Sequence, residues 1–222
     1  MNEAYSLFRY TLPGIVFTLE LTFCLFLLNF KGILEVLKDM KNEADYTFIA
    51  ILITFFTIGI GSIFTLIYRS FSNLKIDYSS FLKELEKQKL IKKNSIPFPF
   101  KNEKEYFENS WVITSALWYE RSEEKNGIKG SKERSLSLAN LMHNAASSMI
   151  GSYLIPGFLI CYLWYNDWKP IEICKYFFSF GLSIFLICLH TKSFCESKKT
   201  LKNFTELVIW NSLKADKKKF KI

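Results

Sequence analysis

The stretch from residue 11 to residue 30, TLPGIVFTLELTFCLFLLNF, decides the class of this protein, because it is almost uniformly apolar and carries one charge, Glu20. A hydrocarbon layer about 30 Å thick needs roughly 20 such residues in helical form. Three further stretches meet that length, at residues 48–68, 145–165 and 171–191, the last with Glu172 and Lys175 in its first turn. The sequence therefore predicts an all-α integral membrane protein with four transmembrane helices.

The composition agrees with this class. Of the 222 residues, 50% are hydrophobic and 23% are charged, yet the mean hydropathy is +0.11, so apolar and charged residues are separated into blocks. The five cysteines form no CxxC pair, which argues against a disulfide scaffold or a zinc ribbon. A chain this apolar is also unlike an intrinsically disordered protein.

The distribution of basic residues predicts the orientation in the membrane. All but five of the 29 Lys and Arg residues precede the first span, follow the last one or lie within residues 69–144. The positive-inside rule therefore predicts a multi-pass protein of the cell membrane with both termini in the cytoplasm. The same charge predicts contact with anionic lipid headgroups. Nucleic acid is not expected as a partner, because no nucleic-acid-binding motif accompanies the charge.

The chain divides into four regions. Residues 1–68 hold spans 1 and 2, residues 69–144 form a cytoplasmic helical stalk, residues 145–192 hold spans 3 and 4, and residues 193–222 form a basic cytoplasmic tail. In the stalk, apolar residues recur every three or four positions from Phe71 to Leu85, and a second helical pattern covers residues 103–121. We therefore expect a cytoplasmic helical hairpin between spans 2 and 3, and an interfacial helix in the tail.

Three aromatic residues of the stalk, Phe107, Trp111 and Trp118, share one side of the second helical pattern. Such a face needs a partner, which can be the other stalk helix, the same region of a neighbouring subunit or the headgroup layer. These residues are the candidate surface for binding a cytoplasmic protein.

Glu20 is the sharpest feature of the sequence, because an ionisable group in a span costs about 2.5–3.5 kcal/mol on insertion scales and marks a functional position. With no Lys or Arg at matching depth, we expect no ion pair within the chain. Three arrangements remain: a protonated Glu20 bonded to hydroxyls of another span, a polar cavity, or a ring of carboxylates around the axis of an oligomer. The candidate polar or pore site is Glu20 with Thr54 and Thr57 of the second span.

Small and hydroxyl residues recur at helical spacing in the other spans and are typical of close helix packing in membranes. The candidates for helix packing are Gly61, Thr65, Ser148, Ser152, Ser179 and Ser183. A polar conduction path would use the same residue types, so the pattern leaves both roles open.

The sequence shows no catalytic motif. G-x-S-x-G, H-E-x-x-H and phosphate-loop patterns do not occur. His143 and His190 fall near the cytoplasmic ends of spans 3 and 4, and two histidines far apart in sequence are weak evidence for a metal site. We therefore expect no enzyme, no metal and no cofactor. An intramembrane reaction through Glu20 or His143 is the least favoured alternative.

The pattern is typical of a homo-oligomer that acts as a membrane effector or pore-forming component, with the stalk coupling an inner signal to the spans. The alternative is a non-conducting membrane scaffold that recruits a cytoplasmic partner through the Trp111 and Trp118 face.

Overall fold

A computed structural model describes residues 2–39, 43–71, 75–91, 100, 102–123, 129–165 and 173–219 of the chain. Every regular element in these ranges is a helix. The eight helices are α1 (Asn2–Leu28), α2 (Phe30–Asp39), α3 (Glu43–Ser70), α4 (Ser79–Lys87), α5 (Glu103–Glu108), α6 (Ser110–Glu123), α7 (Lys129–Tyr165) and α8 (Ile173–Lys219).

The prediction of an all-α chain with four membrane-spanning helices is confirmed at the level of length and apolarity. Four helices are long and apolar enough to cross a membrane, over Thr11–Leu28, Tyr46–Ser70, Ser131–Tyr165 and Ile173–Ala215. These are α1, α3, α7 and α8, the four helices that contain the predicted spans. The chain is therefore of the multi-pass membrane class.

The chain forms two compact units. One, the membrane unit, comprises Met1–Phe71 and Leu141–Cys195, and the other, the polar unit, comprises Ser72–Asn140 and Glu196–Ile222. The long helices α7 and α8 each contribute one part to either unit. The predicted division into two pairs of spans, a stalk and a tail stays a prediction.

In the membrane unit, α1 and α3 pack against each other in antiparallel directions. A Cβ atom built on Gly14 would lie 1.8 Å from the backbone oxygen of Thr57 and 3.1 Å from the backbone nitrogen of Gly61. One turn further along α1, the Thr18 hydroxyl lies 3.4 Å from that of Thr57. The absence of a side chain at Gly14 therefore lets the two backbones touch, as in other tightly packed membrane helices.

Helix α7 packs antiparallel to α3 in the same unit. The Thr65 and Ser147 hydroxyls lie 3.2 Å apart in the interior, and the rings of Tyr68 and His143 meet 5.2 Å apart nearer the end. Apolar residues from all four long helices complete the interior of the unit. They are Phe17, Cys24, Leu28, Phe64, Ile155, Leu159 and Tyr176.

The polar unit has an apolar interior of its own. Ser110 joins the start of α6 to the start of α4. Its hydroxyl accepts from the Tyr78 amide at 3.1 Å and donates to the Asp77 carboxylate at 3.2 Å. The residues of the unit that lie almost or fully out of contact with solvent include Leu82, Leu85, Tyr106, Ile113, Leu117, Leu201, Ile209 and Leu213.

The helix boundaries differ from the predicted ones in three places. The first stalk helix does not run on from span 2, because α3 ends at Ser70 and the Asp77 carboxylate accepts from the Ser79 amide at 2.8 Å, starting a new helix there. The pattern over residues 103–121 is two helices, separated at Asn109. Helix α8 continues without a break through the predicted start of the tail, since no glycine or proline follows Gly181 in it. Residues 122–131 are charged and contain an Asn-Gly pair, which predicts an exposed loop, but residues 124–128 lie outside the described residues and the two ends of the segment belong to α6 and α7.

Candidate intramembrane site

Glu20 of α1 lies inside the membrane unit between two other helices. Its Oε1 is 2.5 Å from Nε2 of His190 on α8, and its Oε2 accepts a hydrogen bond from the Ser152 hydroxyl on α7 at 2.8 Å. The Glu20 and His190 side chains are only 11% and 17% exposed. A carboxylate, an imidazole and a hydroxyl from three helices thus form one buried polar cluster, which we name the Glu20 site.

The packing of α7 brings Ser152 to this position. A Cβ atom on its neighbour Gly151 would lie 2.8 Å from the Phe64 ring and 3.4 Å from Cβ of Phe17, so a larger residue would push α7 away from α1 and α3. Ser152 itself is fully buried and also contacts the Ser148 carbonyl of its own helix at 3.1 Å. The single proton of this hydroxyl is therefore within reach of two acceptors, and the Glu20 carboxylate is the closer one.

His190 places the Glu20 site toward one end of the membrane unit. In α8 the uncharged apolar stretch ends at Leu189, and Lys192 follows His190 by two residues. Phe194, one turn further along α8, meets the Tyr68 ring of α3 at 6.3 Å. The site is therefore separated from this end of the unit by only one or two helical turns.

The other end of the membrane unit is mainly apolar beyond the Glu20 site. Cys24 and Leu28, the next two positions of the same face of α1, are buried with Leu159 and Tyr176. One polar contact interrupts this region, where the Ser179 hydroxyl lies 3.4 Å from the Cys24 carbonyl. The unit thus has one polar half and one largely apolar half.

The contact of Glu20 with His190 corrects the expectation that no basic side chain of the chain pairs with Glu20. That expectation counted Lys and Arg only, whereas His190 supplies a nitrogen that can carry a proton. From the sequence, His190 is predicted only to lie near the cytoplasmic end of span 4, not to contact Glu20. One arrangement considered for Glu20, a hydrogen bond with a hydroxyl of another span, is present as well, because the Ser152 hydroxyl of α7 donates to the same carboxylate.

Thr54 and Thr57, the predicted hydroxyl partners of Glu20, bond elsewhere. The Thr54 hydroxyl donates to the Ala50 carbonyl of its own helix at 2.8 Å, and Thr57 lies against Thr18. Thr54 is exposed, because the first half of α3 has few neighbours in the membrane unit. The structure therefore brings neither residue into the Glu20 site.

The predicted helix-packing residues all lie in the interior of the membrane unit. Gly61 is part of the close contact with Gly14, and the Thr65 hydroxyl donates to its own helix at the Gly61 carbonyl at 2.9 Å. Ser183 donates to the Phe180 carbonyl within α8 at 2.8 Å. The remaining members of the set are Ser148, Ser152 and Ser179, whose contacts are given above. Of the set, Ser152 alone touches the Glu20 carboxylate.

The two histidines do not meet. His143 lies against Tyr68, while His190 is bonded to Glu20. Within the described ranges, no three His, Cys, Asp or Glu side chains lie close enough together to hold a metal ion. The Ser152 hydroxyl contacts the carboxylate rather than the imidazole, so the cluster lacks the serine–histidine contact of an activated nucleophile.

The predicted aromatic face of the stalk is divided among intrachain contacts in the polar unit. Phe107 of α5 packs against Tyr106 at 5.0 Å, and Trp118 of α6 lies 6.2 Å from Phe204 of α8. Trp111 is 39% exposed, with the Lys75 ammonium 4.8 Å from its ring centre. The three residues therefore do not form one open surface.

Two titratable groups of the polar unit have displaced pKa values. The Ser79 backbone amide that donates to Asp77, assisted by the Ser79 and Ser110 hydroxyls, lowers the pKa of the Asp77 carboxyl. Burial raises the pKa of Tyr78 to about 12, against a smaller opposing effect of its hydrogen bond with Thr205. Both groups lie directly before α4, where Ser110 of α6 and Thr205 of α8 contact them.

Sequence reasoning missed His190 as the partner of Glu20. The available signal was compositional: the chain has two histidines, and one of them directly follows the uncharged stretch of residues 176–189, whose ionisable side chains are one tyrosine and one cysteine. An intramembrane carboxylate requires a polar partner, which should have drawn attention to that residue. Comparison of the chain with known protein families, with curated proteins and with solved structures found no significant match.

Proposed function

We propose that this chain is a membrane effector, a multi-pass protein that works as a homo-oligomer and lets ions cross the bilayer at a basal rate, which a cytoplasmic signal that reaches its polar unit increases. The single observation that carries the proposal is the Glu20 site, where a carboxylate and an imidazole are buried together in a four-helix membrane unit. Ionisable residues in such positions mark ion pathways and proton relays in membrane proteins.

A passive anchor has no need of such a site. Replacing a buried ion pair by apolar residues of similar volume is commonly neutral or stabilising. Membrane helices also associate well through small residues alone, as Gly14 and Gly151 do here. The retention of Glu20 and His190 in the interior therefore supports a role beyond holding the helices together.

The two halves of the membrane unit support a gated path through each chain rather than a ring of carboxylates around an oligomer axis. Both Glu20 oxygens bond to partners inside one chain. On one side of the site lie hydroxyl groups such as those of Thr65 and Ser147, and on the other lie Leu28, Leu159 and their apolar neighbours. The apolar half would act as the closed gate, because a dry apolar constriction blocks ions.

The surface of α3 supports self-association. Its first half, from Tyr46 to Phe56, is exposed around its whole circumference in the single chain, with Phe55 72% exposed. Lipid can cover such a surface, and so can a second copy of the chain. The lysines that follow span 4 support contact with anionic headgroups on the cytoplasmic side.

Ion flux through reconstituted protein tests this function. Purified protein in liposomes should dissipate an imposed ion gradient, and Glu20→Gln should reduce the flux about tenfold or more, since the change removes a charge-assisted hydrogen bond. Ser183→Ala is the matched control, because this buried hydroxyl bonds only within α8 and its loss should leave the flux unchanged. If neither the wild-type protein nor any variant carries ions, the proposed function is wrong.

The exposed part of Trp111 favours the scaffold as a second candidate function. A pull-down from cell extract that survives Glu20→Gln but is lost in Trp111→Ala would favour recruitment of a cytoplasmic partner. Trp118→Ala is less informative, because its ring already contacts Phe204. The mass of the detergent-solubilised complex separately tests self-association, which requires more than one copy.

A further inference from the structure

We propose that the Glu20 site is a proton-binding site and that the proton is the ion this effector moves, with Glu20 and His190 passing one proton at a time. The inference rests on the proposed function and names the ion for it. The structural basis is the direct contact of Oε1 with Nε2 at 2.5 Å, in a cluster whose third member is the Ser152 hydroxyl.

The geometry confines the mobile proton to one pair of atoms. The Ser152 hydroxyl donates to Oε2, which stays an acceptor whether Glu20 is charged or neutral. With Ser152 donating to Oε2, a proton shared by the pair lies between Oε1 of Glu20 and Nε2 of His190. With the proton on Nε2, an imidazolium donates to a carboxylate, and with the proton on Oε1, a carboxylic acid donates to a neutral imidazole. Both forms have zero net charge.

The surroundings supply no competing charge. On α3, no Asp, Glu, Lys, Arg or His occurs between Tyr46 and Tyr68, and on α7 none occurs after His143 within the helix. On α1 the nearest titratable neighbour is Cys24, and on α8 the neighbours of His190 are Cys188 and Lys192. Charge balance inside the cluster therefore depends on its own proton.

A metal or alkali cation fits the cluster less well than a proton does. Alkali and alkaline-earth cations need several oxygen ligands. Here both carboxylate oxygens already accept from, or share a proton with, protein groups, and the third member is a nitrogen. A proton needs only the two atoms that are already in contact.

The transfer balances in two steps. The neutral pair releases its proton toward one face of the membrane, which leaves a carboxylate beside a neutral imidazole with net charge −1. A proton from the other face then binds to Nε2 or Oε1 and restores the neutral pair. Nothing is oxidised or reduced, and no bond other than N–H or O–H forms or breaks. Lys192 follows His190 by two residues, so protons from one face of the membrane have close access to the site. Opening of the apolar half gives protons from the other face access to it.

Liposomes loaded with a pH-sensitive dye test the inference. A potassium diffusion potential set with valinomycin should drive protons through the wild-type protein, whereas Na⁺ and K⁺ flux measured without valinomycin should remain at the level of empty liposomes. Glu20→Gln and His190→Gln should each lower proton flux about tenfold or more, while Ser183→Ala should keep the wild-type rate. Size-exclusion profiles that match the wild type show that the variants fold.

The outcomes separate the inference from the function on which it rests. Proton-selective flux lost in both site variants supports both. Flux of Na⁺ or K⁺ comparable to that of protons, or proton flux unchanged in Glu20→Gln and His190→Gln, overturns the proton site and leaves a membrane effector with another ion path. The absence of any flux in the wild-type protein overturns both.

Discussion

The membrane unit and the polar unit keep different kinds of groups inside. In the membrane unit the interior holds hydroxyl residues, including Thr65, Ser152 and Ser179, together with the Glu20–His190 pair. In the polar unit it holds mainly Leu, Ile and aromatic side chains, and Asp77 lies at an exposed helix start.

The difference follows from the solvent of each unit. In lipid, apolar side chains gain little by leaving the acyl chains, so helices associate through close backbone contacts and through polar groups that need partners. In water, burial of apolar surface is the dominant favourable contribution. Contacts between polar residues therefore help to hold the helices of the membrane unit together, whereas burial of apolar residues does so in the polar unit.

The largest expected effect comes from a substitution at the close backbone contact of α1 with α3, which should disrupt the membrane unit. Gly14→Ala should prevent α1 from packing against α3, because the new Cβ would overlap the backbone oxygen of Thr57, which cannot rotate away. We expect loss of the folded protein in detergent, measured as aggregation or a collapse of the size-exclusion peak.

The matched control for this variant is Gly59→Ala. A Cβ on Gly59 meets nothing within 4 Å, so this change should alter stability by no more than about 0.5 kcal/mol. Equal tolerance of both substitutions would contradict the close approach of α1 and α3.

A smaller effect is expected from the apolar interior of the polar unit. Leu82→Ala removes a fully buried side chain of α4 and should destabilise the unit by about 2–5 kcal/mol, measured by chemical unfolding. Leu136→Ala, at a half-exposed leucine of the same unit, should change stability by less than about 0.5 kcal/mol. Similar losses from both would show that the polar unit is not organised around the α4 interior.

The smallest effect concerns alkaline stability. Burial raises the pKa of Tyr78 to about 12, above the ordinary value of 10.0. The folded state therefore retains a proton that the unfolded state releases, and the stability from this group is present below pH 10 and lost as the pH rises toward 12. Tyr78→Phe should cost about 1 kcal/mol near neutral pH through the lost hydrogen bond with Thr205.

The pH profile of this variant carries the test. The melting temperature, measured from pH 9 upward, should fall less steeply with pH in Tyr78→Phe than in the wild type. An identical slope in both proteins would show that Tyr78 does not titrate during unfolding.

Hydropathy was sufficient to predict the four long apolar helices, because the thickness of hydrocarbon sets a minimum length that few other segments reach. It could not predict where α8 ends, since a helix continues into polar sequence when no residue breaks it. The separate starts of α4 and α5 depend on local side-chain hydrogen bonds: Asp77 accepts from the Ser79 amide just before α4, and Asn102 caps α5 by accepting from the Glu105 amide. A hydrophobic repeat that continues across such a hydrogen bond does not show that the helix is interrupted there.

Glu20 was identified from the sequence, whereas its partners were not. Ser152 belonged to the predicted packing residues, but which of the many hydroxyls meets a carboxylate depends on helix rotation and on the approach that Gly151 allows. The predicted partners Thr54 and Thr57 have the right chemistry on a helix whose polar side meets different neighbours. Periodicity gives the face of one helix, and pairing requires the relative rotation of three.

A double-mutant cycle on Glu20 and His190 tests the central claim most directly. Glu20→Leu, His190→Leu and the double variant would be unfolded by SDS titration from mixed micelles. The claim predicts that the double variant is more stable than the sum of the two single losses implies, with a coupling energy of about 1–3 kcal/mol, because each single change leaves a buried polar partner behind. Additive losses, within about 0.5 kcal/mol, would contradict the contact between Glu20 and His190 inside the membrane unit.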